Sequence, residues 1–368
     1  MGVSTLSRVD ATPGAGPARK ISKHQRLARA LHRTGLLPVI GGLRDLGGAK
    51  LRILAYHRVL AIPDEDAFKF DLGLVSASSE QFREQMAFVR RRFHPLTFRD
   101  WLAIVDAGRR PPRNAIVVTF DDGYDDNHRV AYPILRELGV PAVFFVSTGY
   151  IDSSLPYAYD WLVHMICTTR APSVRIEALG VDAAIPDAMP QRRALAADLL
   201  DRMKSMSALE QAETIRELAE RFGMPRAGGH ADCRPMTWAE LREMHAGGME
   251  IGSHGVSHHM LSKLPPAEMK GEIDGSQAAL TRQIGVPAVS LSYPVGGRDA
   301  FDADVIAAAR NAGFRIGCSY IGGDNPARPA DFHDLRRLHV ESYLDMPWFR
   351  AMLAWPALFT HRSRRRGG

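Results

Sequence analysis

Seven apolar runs of five or six residues punctuate this chain: LRILAY (51–56), AIVVTF (115–120), AVFFV (142–146), MEIGS (249–253), VSLSY (289–293), RIGCS (315–319) and LHVES (338–342). Between them, segments such as SEQFREQMAFVRRR, NHRVAYPILRELG, WAELREMHAGG and DADVIAAARNAG carry apolar residues at helical spacing, and most finish near a glycine. A strand that is apolar on both faces must be covered on both faces. Such strands alternating with helices predict an α/β fold, a parallel sheet wrapped by helices and either open or closed into a barrel.

Two regions depart from the alternation. From about residue 151 to 235 the chain reads as a mostly helical insertion, with YDWLVHMICTT, a short β-like stretch, and then QRRALAADLLDRMKSMSALEQAETIRELAERFG as two consecutive helices. Residues 1–48 read as a disordered start followed by a basic helical segment broken at LLPVIGG, expected to pack on the domain, with a membrane surface as the other reading. The domain itself is expected over 49–345, followed by a C-terminal helix and basic tail over 346–368.

Lys and Arg number 47 against 41 acids, and much of the net +6 sits at the two ends, so no basic stripe interleaved with aromatics speaks for nucleic acid. Cys167, Cys233 and Cys318 are far apart and odd in number, which predicts buried thiols rather than a disulfide or zinc framework. The first 25 residues lack an apolar signal-peptide core, and no apolar run reaches about 18 residues. The expected location is cytoplasmic or peripheral to the inner membrane.

Chemistry concentrates at two strand exits. AIVVTF runs directly into Asp121-Asp122-Gly-Tyr-Asp-Asp-Asn, and the carboxyl ends of parallel strands are where α/β folds place their sites. Two adjacent carboxylates at a buried strand end repel each other and need a cation. Asp125 and Asp126 read as solvated turn and helix-start residues, and Asn127 as a helix cap. After MEIGS comes SHGVSHHML, in which His254 and His258, four apart, could share one cation if they lay on a helical turn, whereas His259 points elsewhere. An Asp/His/His set with open positions suits Zn2+ or a related divalent ion.

TFDDGYDDN, SHGVSHHML, YPVGG and AYHRV together resemble the polysaccharide deacetylases, the carbohydrate esterase family with a NodB-type domain, over roughly residues 50–345. The resemblance implies a distorted (β/α) barrel and metal-dependent removal of N-acetyl, sometimes O-acetyl, groups from a glycan, in the manner of the branch associated with bacterial exopolysaccharide. Carried over by motif, Asp121 is the expected base, Asp122, His254 and His258 the expected metal ligands, and His339 the expected proton donor to the leaving amine. Tyr293, Pro294, Arg337, His57 and Trp161 are the expected substrate-facing residues, although His57 reads equally well as a structural histidine and Trp161 as core.

The chain departs from the family pattern in two places. Gly255 follows the first histidine where Ser or Thr is usual, and LSYPVGG puts Ser292 and Tyr293 where an arginine and the first of two prolines are expected; Arg337 could supply that missing charge. The expected substrate is an N-acetylated glycan or a lipid-linked or nucleotide-linked sugar. Two other readings are a deacylase of a small non-sugar amide and a silent glycan-binding scaffold, the latter suggested by the altered third motif. The oligomeric state is not legible in the sequence.

Overall fold

A computed structural model describes residues 22–46, 48–204 and 206–360. Seven strands form a closed parallel barrel: β1 Lys50–Tyr56, β2 Ala115–Phe120, β3 Val143–Val146, β4 Glu250–Ser253, β5 Ser290–Ser292, β6 Ile316–Gly322 and β7 Leu335–His339. β1 pairs with β2 on one side and β7 on the other, and the ring continues β7-β6-β5-β4-β3-β2. The α/β barrel expected from the sequence is therefore closed rather than open.

Side chains alternate across each strand, so the barrel has two buried faces. Ile53, Val117, Phe145 and Cys318 belong to one apolar cluster, with Phe98, Trp101 and Leu102 of a helix at Phe98–Asp106 packed into it. Leu54, Tyr56, Val118, Phe120 and Phe144 belong to the other, packed under the surrounding helices. This double burial is why the strands read as continuous apolar runs.

The last strand corrects the sequence reading. It occupies Leu335–His339, not 338–342, so Arg337 lies inside it and His339 ends it. The N-terminal segment is also different from expectation. Helices α1 (Lys23–Arg33) and α2 (Leu36–Leu46) break at Thr34-Gly35, and LLPVIGG lies within α2. Gly35 takes φ +70, and Pro38 falls in the first turn of α2, where a missing N–H costs nothing. The expectations of disorder at the start and of a basic tail fall on residues outside those described.

Between β3 and β4, helices at Ala158–Thr168, Met189–Met203 and Ala208–Phe222 and a hairpin of Ser173–Ile176 with Val181–Ala184 share an apolar cluster of their own. The C-terminal helix Met346–Ala354 packs on the barrel through Phe349, Met352 and Leu353. All three cysteines are buried free thiols.

Candidate active site

β2 and β7 deliver opposite charges to the barrel interior. Arg337 Nη1 and Nη2 each donate to one oxygen of Asp121 at 2.8 Å, in a two-pronged pair, while Nε donates to the Ser319 carbonyl at 2.9 Å. Arg337 Nη2 also donates to Ser292 Oγ at 2.9 Å, which lies 3.5 Å from Asp121. Burial alone pushes the Asp121 carboxyl up, but the Arg337 and His254 charges outweigh it and hold the carboxyl below its usual range. The guanidinium expected at position 292 thus arrives from β7, and the small Ser292 joins the same network. Arg337 is fully buried behind Asp121, so it is not a substrate-facing residue, which corrects one expectation.

Asp122 faces the other way, onto two imidazoles. Its Oδ1 lies 3.4 Å from His254 Nε2 and 3.2 Å from His258 Nε2, and the three ligand atoms are all within 4.8 Å of one another. His254 Nδ1 lies 2.7 Å from the Ser292 carbonyl, which fixes the proton there and leaves the Nε2 lone pair aimed at the carboxylate. Two imidazole nitrogens and a buried carboxylate oxygen converge on one point, which a proton or a metal ion must bridge. The donor set and its convergence fit a divalent ion. Burial raises Asp122, but its contacts with His254 and His258 dominate and hold it well below the usual range. For His254, burial disfavours the charged form, yet Asp122 and Asp121 outweigh it and raise the imidazole.

The histidines converge by a different route from the one read in the sequence. Residues 254–260 form an irregular loop, not a helical turn. His258 takes φ +60 and Asp122 φ +75, both left-handed and both unusual for a residue with a side chain. Gly255 takes φ +75, and a Cβ there would meet Glu272 Oε2 at 3.0 Å. That carboxylate accepts the Val256 and Ser257 N–H groups at 2.7 and 2.8 Å and so pins the loop. Glycine in place of the usual Ser or Thr follows from this geometry. His259 turns toward Glu272, 3.8 Å away, as expected of a residue outside the cation site.

Around this pair of centres the rim is aromatic. Tyr320 stacks on His339 at 3.7 Å between centroids and meets His57 edge-on at 5.4 Å. His57 is half-buried; burial pushes its imidazole pKa down against the opposing pull of Asp122 and Asp121. Pro294 lies beside Gly255. Tyr293, by contrast, is fully buried, stacked on Phe301 and donating to the His333 carbonyl at 2.9 Å, so its ring cannot meet substrate. Trp161 is 3% exposed within the apolar cluster of the helical segment, with its indole N–H on the Met224 carbonyl, and offers no face to a sugar.

Asp125 and Asp126 are not solvated. Asp126 accepts from Arg58 Nε and from the Val59 N–H, both at 2.9 Å, and Asp125 lies 3.2 and 3.3 Å from Arg129 and Arg234. Asn127 does not cap a helix; it donates to the His57 carbonyl at 2.8 Å. Sequence reasoning also missed two tyrosines at the start of the helical segment. The Tyr157 hydroxyl donates to the Asp122 carbonyl, and Tyr159 lies 5.0 Å from the His258 ring. Their only sequence signal is the aromatic spacing in YAYD.

The family model for polysaccharide deacetylases matches residues 108–317, more than half of the chain. The chain belongs to the polysaccharide deacetylase family. Its members are carbohydrate deacetylases acting on amide bonds. YxkH of Bacillus subtilis (strain 168) is 20% identical over 79% of this chain and 72% of its own length. The poly-β-1,6-N-acetyl-D-glucosamine N-deacetylase of Escherichia coli (strain K12) is 30% identical over 27% of this chain, a stretch that covers 14% of that protein. Among solved structures, Streptococcus pyogenes deacetylase PplD aligns with a TM-score of 0.55 at 17% identity, covering 84% of this chain and 100% of that one. IcaB from Ammonifex degensii gives 0.51 at 17%, covering 84% and 97%. At such identities the structural likeness speaks for the fold alone.

Proposed function

We propose that this protein is a metal-dependent N-deacetylase acting on an N-acetylated glycan or glycan precursor of an exopolysaccharide. The observation that carries the reading is the division of labour between neighbours: Asp122 converges with His254 and His258 on one point, while Asp121 is clamped separately by Arg337. The partial match to a poly-β-1,6-N-acetyl-D-glucosamine N-deacetylase supports an N-acetylated glycan as the substrate class.

Asp122, His254 and His258 would hold the ion. Bound there, a divalent cation polarises an acetyl carbonyl and acidifies a water. Asp121, ionised and fixed by two guanidinium bonds, accepts the proton of the attacking water. Arg337 keeps that carboxylate in one orientation and takes no part in bond making. His339, at the end of β7, gives a proton to the departing sugar amine, and Tyr320 holds its ring in place by stacking. His57, edge-on to Tyr320, lies near enough to both aspartates to feel their charge.

Acetate release from N-acetylglucosamine oligomers and from exopolysaccharide, measured with and without chelator, tests the reading. Chelator-sensitive release supports it. Metal bound without release from any acetylated glycan overturns it, and faster turnover of small non-sugar amides would move the substrate class instead.

A further inference from the structure

Eight large apolar side chains are exposed among the described residues, and they are unevenly distributed. Leu36, Val39 and Leu43, at 46%, 55% and 63% exposure, follow one another at helical spacing on the outer face of α2. Leu27 adds a fourth on α1, and Trp355 ends the helix Met346–Ala354 on which both lie. The inner faces are anchored. Ala28 and Leu37 are buried, Gly41 lies against Ala354, and Arg29 and Arg44 pair with Asp345 and Asp324 at 2.8 and 3.4 Å. An apolar stripe on a firmly docked helix is a surface, not a loose end.

Charge says what covers it. α1 contains no acid, and Lys23, Arg26 and Arg33 are exposed along it as Leu27 is. An outer face of Leu, Val and Trp bordered by cations with no ion pair among the described residues matches the interface of an anionic bilayer, where apolar side chains enter the headgroup layer and Lys and Arg meet phosphate. A protein partner of ordinary mixed charge would leave those cations unmatched.

We propose that α1, α2 and Trp355 form a docking face for an anionic lipid bilayer. The placement has a consequence for orientation. Leu353 accepts a bond from Arg52 at the start of β1, whereas Asp121 lies beyond the far end of the strands. α2 and Trp355 therefore sit toward the barrel end opposite the aspartates, while α1, paired through Arg29 with Asp345, reaches toward the end of β7, so the face runs along the side of the barrel.

Flotation of the full chain with vesicles of phosphatidylcholine alone and of phosphatidylcholine with phosphatidylglycerol tests the proposal. Binding is expected only to the mixed vesicles and should weaken as salt is raised. Val39→Glu with Leu43→Glu should lower partitioning by about tenfold or more, and Arg26→Ala and Arg33→Ala by about fivefold each. Acetate release from a soluble substrate should not change in the Val39→Glu/Leu43→Glu variant, so the outcome is independent of the activity proposed above. Absence of binding to mixed vesicles, or equal flotation of that variant, overturns the proposal. So does a dimer of the parent chain that the same variant dissolves without vesicle binding, which would assign the face to a second copy.

Discussion

The barrel and the helical segment between β3 and β4 each bury an apolar cluster, but they treat charge in opposite ways. The barrel buries it: Arg337 with Asp121, Arg58 with Asp126, and Asp122 between two histidines. The helical segment, apart from Asp160 buried against Tyr124 and Cys233, leaves it in water, in pairs such as Arg216 with Glu213 and Glu220, or Arg202 with Asp198. A buried charge is tolerable only with its partner in place, so the barrel interior is a set of mutual obligations. Apolar packing is graded and forgiving by comparison. The chemistry sits where failure is abrupt.

The sharpest way to break the contrast is to separate the two adjacent aspartates. Asp121→Asn should lower turnover by about 10²–10⁴-fold with metal content unchanged, whereas Asp122→Asn should lose the metal; metal analysis beside acetate release distinguishes them. Next is Arg337→Met, which leaves a buried carboxylate unpaired. It should cost about 3–5 kcal/mol in denaturant unfolding. Leu199→Ala, in the apolar core of the helical segment, should cost about 2–5 kcal/mol in the same measurement, with turnover per folded molecule retained.

A pH effect separates the regions further. His164 packs against Phe70, Trp161 and His230, and burial followed by repulsion from His230 pushes its pKa down to about 4. The unfolded chain, with an ordinary histidine, binds the proton first, so this stability is present above about pH 6.5 and is lost as pH falls toward 4. Thermal unfolding at pH 8 and pH 5 should differ through this group by about 2 kcal/mol at most, and His164→Phe should flatten the dependence. Smallest of all, Arg216→Ala should leave the unfolding midpoint essentially unchanged, since its partners are fully solvated.

Much of this was legible in the chain. AIVVTF is β2 residue for residue, because a strand buried on both faces advertises itself and ends where the acids begin. The candidate cation ligands Asp122, His254 and His258 stand out in the chain because each follows a strand exit. What failed was whatever depends on distant partners. Nothing local to Asp125 or Asp126 announces Arg234 or Arg58, so two buried ion-paired carboxylates look like a wet turn. Register failed for β7, where LRRLH hides two arginines in a strand and only its closure against β6 and β1 fixes the boundaries. Trp161 and Tyr293 misled for a related reason: aromatic residues near a site look like sugar platforms until their burial is known.

The left-handed backbone at Asp122 and His258 sets this site against any search for robustness. A side chain in that conformation costs about 1–2 kcal/mol, and a glycine at either position would recover it. Both residues have side chains that converge on the cation point. A library screened for heat resistance alone should therefore enrich glycine at 122 and 258 and return sturdier, inert barrels. Only a screen that also demands turnover would keep the parent residues.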